Sequence, residues 1–316
     1  MKLLTFSILI IAVPGLLDAG ELIDKTLDVS ATANITIEDP HSRIEIHGWD
    51  KNRVKVTGEI SDHAKGYTFE KQGNNVVFEV EYEGKMGWSE RFKGKDTSKL
   101  KFYVPVKSRM DVSNIRGDIN VTGIEGGTSV ESVNGSISVE KLKQRIKLET
   151  INGSISTMNI DGKVNIETIN GNVNDKGSAG ELSISTVQGN VTSNSRYSSV
   201  EIEVVNGNLD LQLDKIDELD IDSVNGNIEA SIDLNRKGEV SVSNVNGRIN
   251  LQFNKDVSAE FQLEAFVGGA IVNNLTKDKA EKQKFGPGSS MNFSKDGGSG
   301  RVSVNTVSGK VKISAR

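Results

Sequence analysis

The sequence has no cysteine among its 316 residues, which excludes disulfides, a thiol nucleophile and Cys-ligated zinc or iron–sulfur centres. Proline occurs only 4 times, and aromatic residues make up 5% of the chain. Basic residues are not in excess. Lys and Arg number 38 against 43 Asp and Glu, a formal charge of −5, which gives no support for nucleic-acid binding. No segment beyond the N-terminus is apolar enough to span a bilayer. Histidine occurs 3 times, as His41, His47 and His63, near Asp39, Asp50 and Asp62. A metal site needs converging ligands, and nothing in this spacing makes them converge, so no metal, cofactor or catalytic residue is assigned. No Gly-x-Ser-x-Gly elbow, phosphate loop or dinucleotide fingerprint is present.

Glycine is abundant, at 32 residues, but does not recur every third position as collagen requires. It recurs every eighteenth. The unit apolar–Asn–Gly–polar–apolar begins at Val133, Ile151, Ile169, Val187, Val205, Val224 and Val245. A last copy, Val307 to Val311, closes the chain, and a degenerate one surrounds Gly268. The 41 residues between Gly268 and Gly309 fit two loose copies or one with an insertion. Within each copy apolar and polar residues alternate, as in Val164, Ile166, Ile169 and Val173, the period-two signature of strand. Leu148 and Ile151 are three apart, which predicts a bend just before the glycine.

One such coil is too small to offset the conformational entropy of ordering it, so the coils must stack. The fold predicted is all-β: a parallel β-helix or β-solenoid with about 18-residue coils and an irregular N-terminal β cap. A sandwich or meander of hairpins is the competing fold, because Asn-Gly is a strong hairpin dipeptide. A fixed period favours the solenoid. At 4.7–4.9 Å per coil, about ten coils make a rod on the order of 45–50 Å long. Residues 1–19 are expected to be a Sec-type signal peptide: Lys2, an uncharged run from Leu3 to Leu17, and a small residue at Ala19. Residues 20–108 form the N-terminal β-region and cap, and 109–316 the repeats, or the two are one continuous fold. The chain is thus expected to be exported, to the periplasm first and the cell surface or medium as alternatives, with no integral span after cleavage.

Equivalent positions stack into columns. A turn ladder is expected from Asn134-Gly135, Asn152-Gly153, Asn170-Gly171, Gln188-Gly189, Asn206-Gly207, Asn225-Gly226 and Asn246-Gly247. Stacked amides can bond along the axis, and Asn tolerates left-handed backbone at turns. Four residues before each glycine lies an acidic column, Glu131, Glu149, Glu167, Glu203 and Asp222, interrupted by Ser185. It is a candidate binding face for cations or a basic partner, or a solvated stripe. Beside it Thr150, Thr168 and Thr186 form a short column, a weak basis for ice binding. The segment from Glu83 to Lys101 reads as a basic loop with Trp88, Arg91, Phe92 and Lys93, a candidate contact for anionic polysaccharide, lipid headgroups or an envelope protein, or a solvated loop between strands. Residues Thr276 to Lys284 read as a short helix or an insertion.

The run Ile44-Glu45-Ile46-His47-Gly48-Trp49-Asp50, then Leu100-Lys101-Phe102-Tyr103-Val104-Pro105, then repeated Val-Asn-Gly coils, resembles a bacterial β-strand-repeat family. That family is labelled as candidate adhesins, a domain family of unknown function. It is similar to the head-GIN adhesins, which form β-helices. The resemblance covers most of residues 26–316. It implies an envelope-associated β-solenoid without known catalysis. The function expected is therefore a non-enzymatic structural or binding protein of the cell envelope. A polysaccharide-modifying β-helix enzyme and a periplasmic scaffold or envelope-stress signalling partner are the alternatives.

Overall fold

The eighteen-residue period becomes strand-on-strand pairing in the computed structural model, which describes residues 22–82, 97–282 and 286–316. The described residues form twenty-three strands in one sheet and no α-helix. The first seven are β1 (Leu22–Asp28), β2 (Asn34–Glu38), β3 (Ser42–Trp49), β4 (Arg53–Glu59), β5 (Ala64–Gln72), β6 (Asn75–Tyr82) and β7 (Ser98–Pro105). The next seven are β8 (Arg109–Arg116), β9 (Ile119–Thr122), β10 (Thr128–Asn134), β11 (Ile137–Glu140), β12 (Lys143–Asn152), β13 (Ile155–Met158) and β14 (Asp161–Asn170). Four long strands follow: β15 (Val173–Gln188), β16 (Val191–Asn206), β17 (Leu209–Asn225) and β18 (Ile228–Phe253). The last are β19 (Ala259–Ala265), β20 (Ala270–Asn274), β21 (Glu281–Lys282), β22 (Ser289–Lys295) and β23 (Gly300–Ala315).

Repeat lies on repeat in parallel register. Leu148 pairs with Ile166, Ile166 with Ile184, Ile184 with Ile202 and Ile202 with Ile221. Asn-Gly therefore turns no hairpin here, and the arrangement is solenoid-like. The inward residues of every level, such as Ile146, Leu148, Ile155, Val164, Ile166 and Val173, form one continuous buried core. That core holds mostly β-branched and leucine side chains through the middle, with Tyr197 among them, and further aromatic ones near the ends. Phe78 meets Phe102 edge-on at 5.0 Å, and Phe261 meets Phe253 edge-on at 5.5 Å.

The order of levels departs from the order of the chain at both ends. β2 and β3 are sandwiched between β8–β9 on one side and β6–β7 on the other. β23 lies directly on β18, and β19–β20 lie beyond β23. The last copy thus closes the chain without ending the stack: Gly247 pairs with Gly309, and the Gly268 copy sits outside it. Antiparallel strands finish each end, β5, β4 and β1 over the first level and β22 with β21 over the last. An end level made of regular repeat would expose an unpaired edge and a hydrophobic core, and these irregular strands cover both.

Several sequence expectations change. Ile151 does not join the apolar interior but is 42% exposed, while its neighbour Thr150 is 4% exposed. The strict alternation therefore continues through Leu148 and Thr150, and the apolar residue before Asn-Gly points out. The Thr column is interior, so it offers no surface to ice. It bonds glycine carbonyls one level below: Thr150 Oγ1 donates to the Gly135 carbonyl at 3.2 Å and Thr168 Oγ1 to Gly153 at 3.4 Å. Lys99 and Lys101 belong to β7, where Lys101 Nζ lies 3.0 Å from Glu45, and not to a loop. The stretch after Asn274 forms no helix among the described residues. Leu275 and Thr276 donate their amides to Asn273 Oδ1, and Glu281–Lys282 pairs with Ser289–Ser290.

The Asn residues of the turn ladder adopt no left-handed backbone; the described non-glycine residues that do are Lys141, Gln144, Asn159, Lys215 and Asp296. The ladder is an axial amide chain instead. Asn152 Nδ2 donates to Asn134 Oδ1 at 2.9 Å, Asn170 to Asn152 at 3.0 Å, Asn225 to Asn206 at 3.0 Å and Asn246 to Asn225 at 3.1 Å. Asn152 makes two of these bonds on an exposed edge. Asn152→Ala is expected to cost about 1 kcal/mol, the net worth of solvent-competed hydrogen bonds, read as a small fall in the urea midpoint. An unchanged midpoint would remove the ladder as a source of stability.

Candidate functional site

The residue two before each repeat glycine lies in an outward column, in which Val133 is half-buried. Ile115, Ile151, Ile169, Val187, Val205, Val224, Val245 and Val307 are each 39–48% exposed. An exposed Val is ordinary by itself, but a file of them along successive levels is a candidate interaction surface. Two residues earlier on the same strands stands the acidic column. Glu131 registers with Glu149, Glu149 with Glu167, and Glu203 with Asp222, with Ser185 between Glu167 and Glu203. The two columns are the walls of one groove parallel to the rod axis, and the residues between them are its floor. Its lower part, about 490 Å³, runs past Val133, Ile151, Ile169 and Val187. Its upper part, about 450 Å³, runs past Val187, Val205, Val224, Val245 and Val307 and reaches Phe266.

The floor is made of buried polar side chains, among them Asn114, Ser132, Thr168, Ser223 and Asn244. Asn114, Ser132, Thr168 and Asn244 bond inward, whereas the Ser223, Thr186 and Thr306 hydroxyls are buried with no partner among the described residues. Ser132 Oγ donates to Asn114 Oδ1 at 2.6 Å, Asn114 Nδ2 to the Gly117 carbonyl at 2.8 Å, and Asn244 Nδ2 to the Gly226 carbonyl at 3.2 Å. The acidic wall is not uniform. In the lower part Lys147 Nζ lies 2.8 Å from Glu149 and 3.6 Å from Glu131, and the hydrogen bond to Glu149 holds the lysine above its usual pKa. Glu167 accepts from Asn165 Nδ2 at 2.9 Å. In the upper part neither Glu203 nor Asp222 is in an ion pair among the described residues. The apolar column was in the sequence, as the first letter of every repeat unit, but it reads as core until burial is known.

A second ladder follows the glycine at four successive levels, Gly171, Gly189, Gly207 and Gly226. Asn172 Oδ1 accepts the Asn190 amide at 2.9 Å, Asn190 Oδ1 the Asn208 amide at 2.9 Å, and Asn208 Oδ1 the Asn227 amide at 3.0 Å. It fixes the corner on the far side of the glycine and could have been found from the recurrent Asn at that position.

Inside the rod Asp175 is 3% exposed and lies where neighbouring levels place Val139, Thr157, Ser193 and Leu211. Its oxygens accept from Thr157 Oγ1 at 2.6 Å, Ser178 Oγ at 2.6 Å, Ser193 Oγ at 2.9 Å, Ser195 Oγ at 2.5 Å and Tyr197 Oη at 3.3 Å. Burial, and then the Asp175 charge, push the Tyr197 hydroxyl well above its ordinary pKa. An interior carboxylate ringed by hydroxyls is a fastening between levels.

The histidines do not meet. His41 packs edge-on to Tyr82 at 5.0 Å, and His47 lies tilted over Tyr103 at 5.6 Å. Beside His41, Asp39 is fully buried and accepts from Tyr82 Oη at 2.8 Å and the His41 amide at 3.0 Å. Burial raises its pKa above the ordinary carboxylate value. No group of three His, Cys, Asp or Glu side chains is placed to hold a metal among the described residues. Trp88, Arg91, Phe92 and Lys93, and the expected signal peptide, lie outside the described residues. No helix among the described residues is long and apolar enough to cross a membrane.

Residues 32–314 match the Toastrack DUF4097 family. The chain belongs to that family. No curated protein sequence is significantly similar to it. Among solved structures this Toastrack chain is similar to a candidate cell adhesion protein from Clostridium sporogenes, at 11% identity and a TM-score of 0.22, covering 94% of this chain and 100% of that one. It is also similar to a candidate adhesin from Parabacteroides distasonis, at 9% identity and a TM-score of 0.30, covering 94% and 98%. A candidate lipid binding protein from Parabacteroides distasonis is similar at 14% identity and a TM-score of 0.30, covering 93% and 96%.

Proposed function

We propose that this Toastrack chain is a non-enzymatic binding rod of the cell envelope, a parallel β-solenoid of roughly eighteen-residue levels whose working surface is the long groove. The observation that carries this reading is the file of exposed Ile and Val between Ile115 and Val307, beside five carboxylates from Glu131 to Asp222 that Ser185 interrupts. Catalysis gathers unlike groups at one point, whereas this face offers like groups at every level. Repetition suits a partner held by many weak contacts, whose affinities compound when they are linked. The basic, then apolar N-terminus supports export to the envelope. Antibody labelling of a C-terminal tag on intact and permeabilised cells distinguishes the periplasm, expected here, from the surface.

The face is tested by replacing Val205, Val224 and Val245 together with Ser. These positions are exposed, so stability should change little. Sedimentation with a cell-envelope fraction of the producing organism should fall about tenfold, the equivalent of roughly 1.4 kcal/mol of lost apolar contact. Undiminished sedimentation of a folded triple variant would show that the groove is not the binding surface.

A further inference from the structure

The upper groove has walls of opposite character, and this combination restricts what fits it. One wall is apolar: Val187, Val205, Val224 and Val245, each 39–42% exposed. The other carries Glu203 and Asp222 in register one level apart, both exposed and neither in an ion pair among the described residues. Glu201 and Asp220 stand in register in the next column outward, so the acidic wall is two residues deep. Like charges at strand spacing repel one another, and a cation laid between them relieves that repulsion. The floor between the walls is buried: Val204 is apolar, Asn244 Nδ2 donates inward to the Gly226 carbonyl, and the Thr186, Ser223 and Thr306 hydroxyls have no partner among the described residues.

An extended polypeptide sends alternate side chains to opposite sides. Laid along the groove, a segment alternating Lys or Arg with Val, Ile or Leu turns its cationic edge to the wall that holds Glu203 and Asp222, between Ser185 and Ser243, and its aliphatic edge to the valines. We infer that the upper groove is a docking site for an extended basic polypeptide segment with alternating cationic and aliphatic residues. This inference rests on the groove being the binding face and adds the class of partner. The lower groove suits such a segment less well, because Lys147 already sits between Glu131 and Glu149.

The probe is a fluorescein-labelled alternating Lys-Val peptide, titrated with the full chain and followed by anisotropy at low and at high salt. Two control peptides keep one property each: alternating Glu-Val keeps the apolar edge, and alternating Lys-Ser keeps the charge. The Lys-Val peptide should bind at least tenfold more tightly than either control, and salt should weaken it. Glu203→Gln with Asp222→Asn should weaken it about tenfold and flatten its salt dependence. Val205→Ser with Val224→Ser should weaken it about tenfold and leave the salt dependence. All these substitutions are at exposed positions, and circular dichroism confirms that each variant is folded.

Equal binding of the Glu-Val peptide would overturn the cationic partner while leaving the groove as a binding face. Equal binding of the Lys-Ser peptide would reduce the site to general acidity and overturn the alternating segment. Lys-Val binding that neither double variant weakens would place the peptide elsewhere and overturn the proposal. Dimerisation of the wild-type chain that Val205→Ser with Val224→Ser abolishes would put a second copy in the groove, with the same consequence. The binding-face reading itself fails only if the triple Val variant still sediments fully with the envelope fraction, so the two failures are separable.

Discussion

Gly171→Ala should unfold the middle of the rod or lower its stability by about 4–5 kcal/mol, the top of the range for single substitutions. A Cβ on Gly171 would sit 1.8 Å from the Gly153 carbonyl oxygen and 2.6 Å from its carbon. That carbonyl is main chain in the level below and cannot swing aside as a side chain could. The Gly153 amide donates to the Asn170 carbonyl at 3.1 Å and the Gly171 amide to Gln188 at 2.9 Å, so relief of the clash breaks the bonds that join three levels. The glycine column runs the same way from Gly135 to Gly309, each Cβ meeting the glycine oxygen of the level it rests on at 1.7–2.1 Å. Gly171 needs no left-handed backbone, so its requirement is close approach alone. Gly73 is the control. It has φ +61 and nothing within 4 Å of its Cβ, and Gly73→Ala should cost only about 1–2 kcal/mol, the conformational penalty. Thermal unfolding followed by circular dichroism separates the two. Equal small losses would mean that the levels are not in such close contact.

Asp175→Ala should cost about 3–5 kcal/mol, the range for stripping one partner from a buried charged network. Thr157, Ser178, Ser193, Ser195 and Tyr197 all direct hydroxyls at this carboxylate from a span of three levels. Alanine leaves those donors buried without an acceptor, and each unsatisfied polar group is costly in a medium of low polarity. Tyr197→Phe removes only the longest bond, 3.3 Å, and should cost about 1 kcal/mol. The ratio of the two effects is the test. A loss for Asp175→Ala no larger than that for Tyr197→Phe would show that the hydroxyls find other partners and that the carboxylate does not fasten the levels.

The repeat made the architecture of residues 109–253 legible, because eighteen-residue spacing and period-two alternation leave few alternatives to stacked strands. Glu131 and Glu149, or Asn134 and Asn152, share a column because they share a phase. Phase does not reveal which way a column faces. Ile151 is apolar and was expected inside; only the burial of Thr150, which bonds a glycine carbonyl, turns Ile151 outward and creates the groove. The role of Asp175 was hidden for a related reason. An acid in a Val–Thr–Ser–Leu column looks like a surface residue until the surrounding hydroxyls are placed. Sequence order also misleads where stacking ignores it. β23 is a good repeat that needs a partner on each edge, and the irregular β19–β22 segment is better suited to cover an end.

That insertion builds the upper groove, since it brings Val307 beside Val245 and puts Phe266 in the lining beyond it. Disulfide trapping tests it directly in a chain that has no cysteine of its own. Ser243 registers with Asn305, and Asn305 registers with Glu264 on its other side. Ser243→Cys paired with Asn305→Cys should oxidise readily, because neighbouring strands lie about 4.8 Å apart, within disulfide reach. Ser243→Cys paired with Glu264→Cys should not, because two levels separate those residues by about 9.5 Å, beyond the roughly 7 Å limit. Efficient crosslinking of Ser243→Cys to Glu264→Cys, with none to Asn305→Cys, would mean that the levels follow chain order, and would contradict the stack and the groove built on it.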